Sequence, residues 1–271
     1  MLRRLVLAFL TAVSAVELHA QTDTTGVGIS TEPLFTSRDA WMAGGFVAGT
    51  MLLFPFDRKA AERLQDERTQ ENRFFRHQAT NVRLISESAY FIGGGLYAVG
   101  RLTGNRDMAD LGLHGTEAIV VGMTVTTLAK GILGRARPLV DTTNPSDFEL
   151  MRGFAKENYR SFPSGHTLTA FAAASAVTDE TARWWPKQRL LIGTAMYGGA
   201  TLVGLSRMYN NKHWASDVMM GAAIGTFAGR KIVRYHHSHP DNRVDKWLLG
   251  AGVTPDGMGG TMLTFSLTPP R

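Results

Sequence analysis

The stretch FPSGHTLTAFAAASAVT, Phe162 to Thr178, decides how this chain is read. Ser164 is a natural helix N-cap, and from Gly165 onward the residues are small and apolar, which predicts a helix over 165–178. Gly165 lets the backbone approach a neighbour closely, and its amide can point at an oxyanion. A helix N-terminus favours negative charge. His166 falls in the first turn, beside any anion bound there. Taken alone, the segment reads as an ordinary capped helix start with a surface histidine.

Two other segments carry matching residue types. Lys130-x6-Arg137-Pro138 sets two cations seven residues apart. On a helix that is two turns, so both are expected on one face, with Pro138 ending or kinking the helix. Ser206-Arg207-x5-His213-x2-Ser216-Asp217 sets a guanidinium at the end of an apolar helix and a histidine one helical turn before a carboxylate. Such a carboxylate can fix the tautomer of the imidazole. Individually these too have plain readings, as a solvated basic face and as a His–Asp pair capping a helix. Together the three segments offer the cations Lys130, Arg137 and Arg207, the histidines His166 and His213, the hydroxyl of Ser164 and the carboxylate of Asp217, an inventory suited to holding a phosphoryl group and attacking it.

The rest of the chain bounds the fold. It has 271 residues, 44% hydrophobic and 19% charged, with mean hydropathy −0.08 and a formal net charge of +6. Cysteine is absent, which excludes a disulfide framework and thiolate metal sites. The basic balance suits anionic substrates or an anionic membrane surface, and equally simple solubility. Residues 1–20, with Arg3 and Arg4 before an apolar run, read as an export signal; an uncleaved anchor is the alternative. Residues 21–38 form an irregular lead-in. Ala40–Phe56 is apolar. Asp57–Arg83 is dense in both charges and reads as a polar helix with a solvated face. Further helices are expected at about 88–101, 111–135, 190–207 and 214–235, with 139–161 as loop. The tail alternates at Leu263, Phe265 and Leu267, which predicts a terminal β-hairpin. The expected class is all-α, a bundle of about six core helices with a short C-terminal β-hairpin. The divisions fall at 1–20 (signal), 21–86 (N-terminal segment), 87–240 (bundle) and 241–271 (hairpin tail). The apolar runs suit a bundle that contacts a membrane, with an integral membrane protein as the alternative.

Several residues are set aside. His236-His237-x-His239 resembles a metal tract, but it follows a basic helix end and precedes Pro240, and it reads as a solvated terminus. His77 and His114 have no visible partners. Gly93-Gly94-Gly95 reads as close helix packing, and Tyr209, Asn210 and Asn211 as a chain turn.

The three segments, in their order, resemble the signature of the type 2 phosphatidic acid phosphatase superfamily, which also holds bacterial class A acid phosphatases and vanadium haloperoxidases. The resemblance covers about residues 130–217, with helical surroundings from roughly 88 to 235. It implies that Lys130, Arg137 and Arg207 bind phosphate oxygens, with Ser164 and the Gly165 amide adding hydrogen bonds. It implies that His213 attacks phosphorus to give a phosphohistidine, that Asp217 orients His213, and that His166 protonates the leaving alcohol and then activates water. It implies no metal and no cofactor. Phe162 before Pro163 resembles the lipid phosphatases more than the soluble acid phosphatases, where a tyrosine commonly stands there. The expected function is a metal-independent phosphoric monoester hydrolase acting on lipid phosphate or similar amphiphilic phosphate or diphosphate esters. The alternatives are a vanadate-dependent haloperoxidase and a non-catalytic binder of phosphate-bearing lipid. The expected partners are that substrate and a membrane, not nucleic acid, in an exported, periplasmic or periplasm-facing location.

Overall fold

A computed structural model describes the backbone at residues 34–71, 73–239, 242–249, 251–255 and 261–265, and side chains at 34–71, 86–239 and most of 242–249. Among the described residues, six long helices build the fold: α1 (Ser37–Leu53), α4 (Arg73–Thr103), α5 (Arg106–Leu133), α6 (Gly165–Trp184), α7 (Arg189–Tyr209) and α8 (Ala215–Ser238). Three short helices accompany them: α2 (Asp57–Leu64), α3 (Glu67–Gln70) and α9 (Arg243–Leu248).

The centre of the bundle is the α6–α8 pair. Gly221, Gly225 and Gly229 recur every fourth residue on α8. A Cβ at each would overlap Ser164 O, Leu168 O and the Ser175 side chain of α6 in turn. The absence of side chains on this stripe brings the two backbones together. A second close approach joins α4 to α5, where Gly93 and Gly112 face each other's helix; Gly94 and Gly95 face open space. Phe171, fully buried, meets Tyr197 of α7 edge-on at 5.8 Å, and Phe46 of α1 and Met219 of α8 join the same cluster. Burying a side chain such as Phe171 contributes about 1.5–3 kcal/mol.

Three expectations are corrected. Lys130 and Arg137 do not share a helix. α5 ends at Leu133 because Gly134 adopts a left-handed φ of 54° and returns its N–H to the Lys130 carbonyl at 3.1 Å. Arg137 follows in extended chain that pairs with the 139–161 loop, its N–H donating to Asn158 O. The charge-dense segment is not one solvated helix. It breaks into α2 and α3, and α4 then runs unbroken across the boundary expected at 86/87. Asp57, at its start, is fully buried, and Ala60, Ala61 and Leu64 are buried with it. The third correction concerns His114 and His236, both buried and partnered.

The loop at 139–161 contains two single 3-10 turns, Arg152–Phe154 and Glu157–Tyr159. In the tail, α9 precedes two five-residue strands, Ala251–Pro255 and Thr261–Phe265, whose backbones pair antiparallel. The turn between them and the side chains of both lie outside the described residues, as does the expected signal at 1–20.

The outer surface of the bundle is apolar over wide areas. Trp41 and Phe91 are each 83% exposed, and Leu190 and Leu191 about as open at 69% and 72%. Val120, Val121, Val125 and Leu128 line an exposed face of α5. One described helix, Arg106–Leu133, is long and apolar enough to cross a membrane.

Candidate active site

Helix ends and one loop bring the predicted residues to one end of the bundle. Lys130 lies in the last turn of α5, Ser164 and His166 at the start of α6, Arg207 in the last turn of α7, and His213 and Asp217 on the turn into α8. Ser164 caps α6 through its backbone: its carbonyl receives Leu168 N, and its own N–H donates to the Asp217 carbonyl at 3.0 Å. Its hydroxyl accepts from Thr167 Oγ1 at 2.8 Å. The start of α6 is thereby stitched to the start of α8.

Lys130 reaches across this junction. Its Nζ donates to the carbonyls of Arg160 at 2.7 Å and Ser161 at 3.3 Å. A Cβ on Gly165 would lie 3.8 Å from Lys130 Cε, so the lysine stem passes the open backbone of Gly165. Arg137 and Arg160 lie within electrostatic reach of Lys130. Arg207 is buried and acts on both histidines, as Lys130 does. Arg137 donates to Glu157 at 2.6 Å, so one carboxylate already holds this cation at the rim. Several partly buried cations in one place repel one another, and an anion set among them relieves that cost.

The histidines differ in setting. His213 is 4% exposed, and its Nδ1 stands 3.5 Å from Asp217 Oδ2. That separation exceeds a strong hydrogen bond. The lone pairs of Asp217 are committed elsewhere: Oδ1 accepts from Arg135 at 2.5 Å, and Oδ2 from Ser161 Oγ at 2.5 Å and Trp214 N at 2.9 Å. Asp217 therefore acts as a fixed negative charge behind the imidazole, whose Nε2 is left on the opposite side. Burial pulls His213 down from 6.5 to about 3, against the opposing pull of Asp217, so the ring is neutral near pH 7. His166 is more open, with 31% of its side chain exposed, and its Nε2 lies 3.2 Å from Glu87 Oε1 of α4.

Four side chains escaped the sequence reading. Arg135, fully buried, donates to Asp217, Ser216 and Asp57 and stacks over the rings of Phe54, Phe148 and Trp214. Asp57 in turn accepts from the Ser216 amide at 2.9 Å. Ser161 and Glu87 hold Asp217 and His166 from outside the three segments. Arg135 had a visible signal, a second arginine two residues before Arg137. Asp57 had none, as one acid among many in a charged stretch, and Glu87 had none because its partner His166 lies 79 residues away.

These features define a class: a helical bundle with a buried cationic pocket, a histidine backed by a carboxylate, and a second histidine at the rim. Residues 113–240 match the family model of the PAP2 superfamily. Over 69 residues it is 46% identical to a lipid A 1-phosphatase of Porphyromonas gingivalis; the match covers 26% of this chain and 15% of that protein's length. The fold is similar to the crystal structure of a transmembrane PAP2-type phosphatidylglycerolphosphate phosphatase from Bacillus subtilis, with a TM-score of 0.52 and 15% identity, covering 75% of this chain and 98% of the other.

Proposed function

We propose that this chain is a metal-independent phosphatase that hydrolyses lipid phosphate monoesters, or similar amphiphilic phosphate or diphosphate esters, through a phosphohistidine. The observation that carries the reading is the meeting of His213, Lys130 and Arg207 in one buried place, with Asp217 behind the imidazole. Lys130, Arg137 and Arg207 bind the phosphoryl oxygens, and Ser164 and the Gly165 amide add hydrogen bonds. His213 Nε2 attacks phosphorus in line while the ester P–O bond breaks. His166, steadied by Glu87, gives its proton to the leaving oxygen. In the second step His166 takes a proton from water, the hydroxide attacks phosphorus, and the P–N bond breaks to release phosphate. The fixed cations stabilise the equatorial oxygens where a metal otherwise would. A proton donor at the leaving group is worth roughly 10²–10⁴-fold.

The lipid part of the reading is supported by the surface. Large apolar side chains stand exposed on α1, α4, α5 and α7, among them Trp41, Phe91, Val125 and Leu190, which suits contact with acyl chains. A groove of about 390 Å³, lined by Tyr90, Val120, Met123, Thr124, Thr127 and Leu128, lies between α4 and α5. Tyr90 is one turn from Glu87, and Thr127 and Met123 lie one and two turns before Lys130 on the same side of α5. An acyl chain in this groove places its phosphate at the cationic pocket. The bundle accordingly sits in a bilayer, with residues 1–20 as the export signal, the pocket facing the periplasm, and a hairpin packed at the tail.

The test uses the full chain in detergent micelles with a chelator present, at a temperature where it stays folded. Phosphate release from phosphatidic acid is expected from wild type and not from His213→Ala. Radiolabelled substrate leaves an acid-labile, base-stable label on wild type alone. Undiminished hydrolysis by His213→Ala sinks the mechanism. Bromide oxidation after adding vanadate and peroxide, without hydrolysis, replaces the phosphatase reading with a haloperoxidase.

A further inference from the structure

At the opposite end of the bundle lies a second cluster of chemistry-bearing side chains. His114 is sixteen residues before Lys130 on α5, roughly 24 Å at 1.5 Å per residue. His114, His236 of α8 and Asp245 of α9 each place one donor atom within 4.8 Å of the others. His114 and His236 are 1% and 2% exposed. Their rings stack with centroids 4.1 Å apart. This cluster plays no part in the proposed hydrolysis.

The hydrogen bonds around the cluster sort its nitrogens. His114 Nδ1 lies 2.5 Å from Glu180 Oε1, and His236 Nε2 lies 2.7 Å from Glu117 Oε2. With each outer carboxylate on one nitrogen, the other nitrogen of each ring faces inward, where it holds either a second proton or a cation. His114 Nε2 is buried without a hydrogen-bond partner and stands 3.7 Å from Asp245 Oδ1. His236 Nδ1 stands 2.6 Å from the same oxygen. At that distance either a proton or a metal cation stands between the nitrogen and the carboxylate oxygen. Asp245 Oδ2 is held by Asn242 Nδ2 at 2.7 Å. A histidine whose second nitrogen rests on a carboxylate is the usual support of a metal ligand. Here both histidines have one, and the ligating carboxylate is steadied as well.

We propose that His114 Nε2, His236 Nδ1 and Asp245 Oδ1 bind one divalent transition ion of the zinc type. Two imidazoles and a carboxylate are zinc donors, and donors on one tetrahedral ion sit about 3.3–3.5 Å apart. The 3.7 Å pair is already close to that spacing. The 2.6 Å pair opens by several tenths of an ångström when an ion replaces the proton between them. Glu180 and Glu117 remain the outer support, and His237 Nε2, 2.9 Å from Glu180 Oε2, completes it. The ion ties three parts of the chain together: α5, the end of α8, and α9. Tyr97 Oη and Arg101 Nη1 hold the same arm by donating to Leu248 O and Leu249 O, each at 2.7 Å. The ion is structural, a staple on the C-terminal arm, because it lies far from the phosphate pocket.

The test is made on the untagged full chain in detergent micelles after treatment with a chelator and its removal. Added Zn²⁺ is expected to bind at one equivalent per chain by elemental analysis after gel filtration, and to raise Tm by several degrees. Asp245→Asn and His114→Ala should lose both effects, while His239→Ala, at the exposed C-terminal end of α8, keeps them. Co²⁺ added to wild type should give the visible absorption of a four-coordinate nitrogen and oxygen site, a readout that needs no variant to fold. Phosphate release by wild type below both melting temperatures should be the same with and without Zn²⁺. Absence of stoichiometric Zn²⁺ and of the Co²⁺ band in wild type overturns the proposal and leaves a protonated His–carboxylate network. Binding that survives in His114→Ala and Asp245→Asn also overturns it. Neither result touches the phosphatase reading, which the His213 variant tests separately.

Discussion

Arg135 Nη1 donates to Asp217 Oδ1 at 2.5 Å, and both side chains are completely buried. The same guanidinium reaches Asp57 Oδ2 at 2.8 Å, so one cation joins the carboxylate behind His213 to the segment that follows α1. Arg135 is a positioning residue: it holds the carboxylate that stands behind the candidate nucleophile.

Removing it leaves two carboxylates buried without their counter-charge. Arg135→Ala should lower stability by about 3–5 kcal/mol, read as a fall in Tm in detergent. Arg135→Lys should recover part of the stability but not the fork that grips Asp217 and Asp57 together. Its kcat should therefore remain depressed with KM little changed. A variant of wild-type stability would show that the pair is incidental.

His166 as proton donor predicts dependence on the leaving group. His166→Ala should lose roughly 10²–10⁴-fold on an alkyl phosphate, and much less on p-nitrophenyl phosphate, whose leaving group needs no proton. Glu87→Gln should show a weaker form of the same pattern. Equal losses on both substrates would remove His166 from that role.

The glycine stripe of α8 predicts a backbone clash. A Cβ at Gly225 would overlap Leu168 O and crowd the Ala172 amide. Gly225→Ala should destabilise the bundle by about 1–3 kcal/mol, seen as a lower Tm. Gly198→Ala, where nothing lies within 4 Å, should have little effect.

The depressed His213 predicts a pH window for stability. Its folded value of about 3 lies below the unfolded 6.5, so between these the unfolded chain binds more protons. Stability then rises with pH across the window and is lost as pH falls from 6.5 toward 3. His213→Asn removes this proton uptake. Its stability should decline less steeply than wild type over the same range in pH-dependent thermal melts. Parallel profiles would place the acid sensitivity elsewhere.

Much of the fold was legible because helix periodicity and capping are local. The starts of α6 and α8 fell where Ser164 and the His213–Asp217 spacing placed them, and the six long helices lie near the apolar runs. The three signature segments were readable for the same reason, since each compresses its chemistry into a few neighbouring residues. Lys130 and Arg137 were read on one helix because a seven-residue spacing permits it. The left-handed turn at Gly134 parted them, and the glycine alone did not announce that it would cap α5.

The sequence by itself determined the helices, the family signature and the candidate phosphate-binding residues, because these depend on neighbours within a few turns. The tertiary structure decided which charges are buried together. Arg135 finds Asp57 and Asp217 from 78 and 82 residues away, and His114 meets Glu180 and Asp245 from other helices. The physical reason is that the worth of a charge depends on its burial and its partner, and both are set by how helices cross rather than by local spacing.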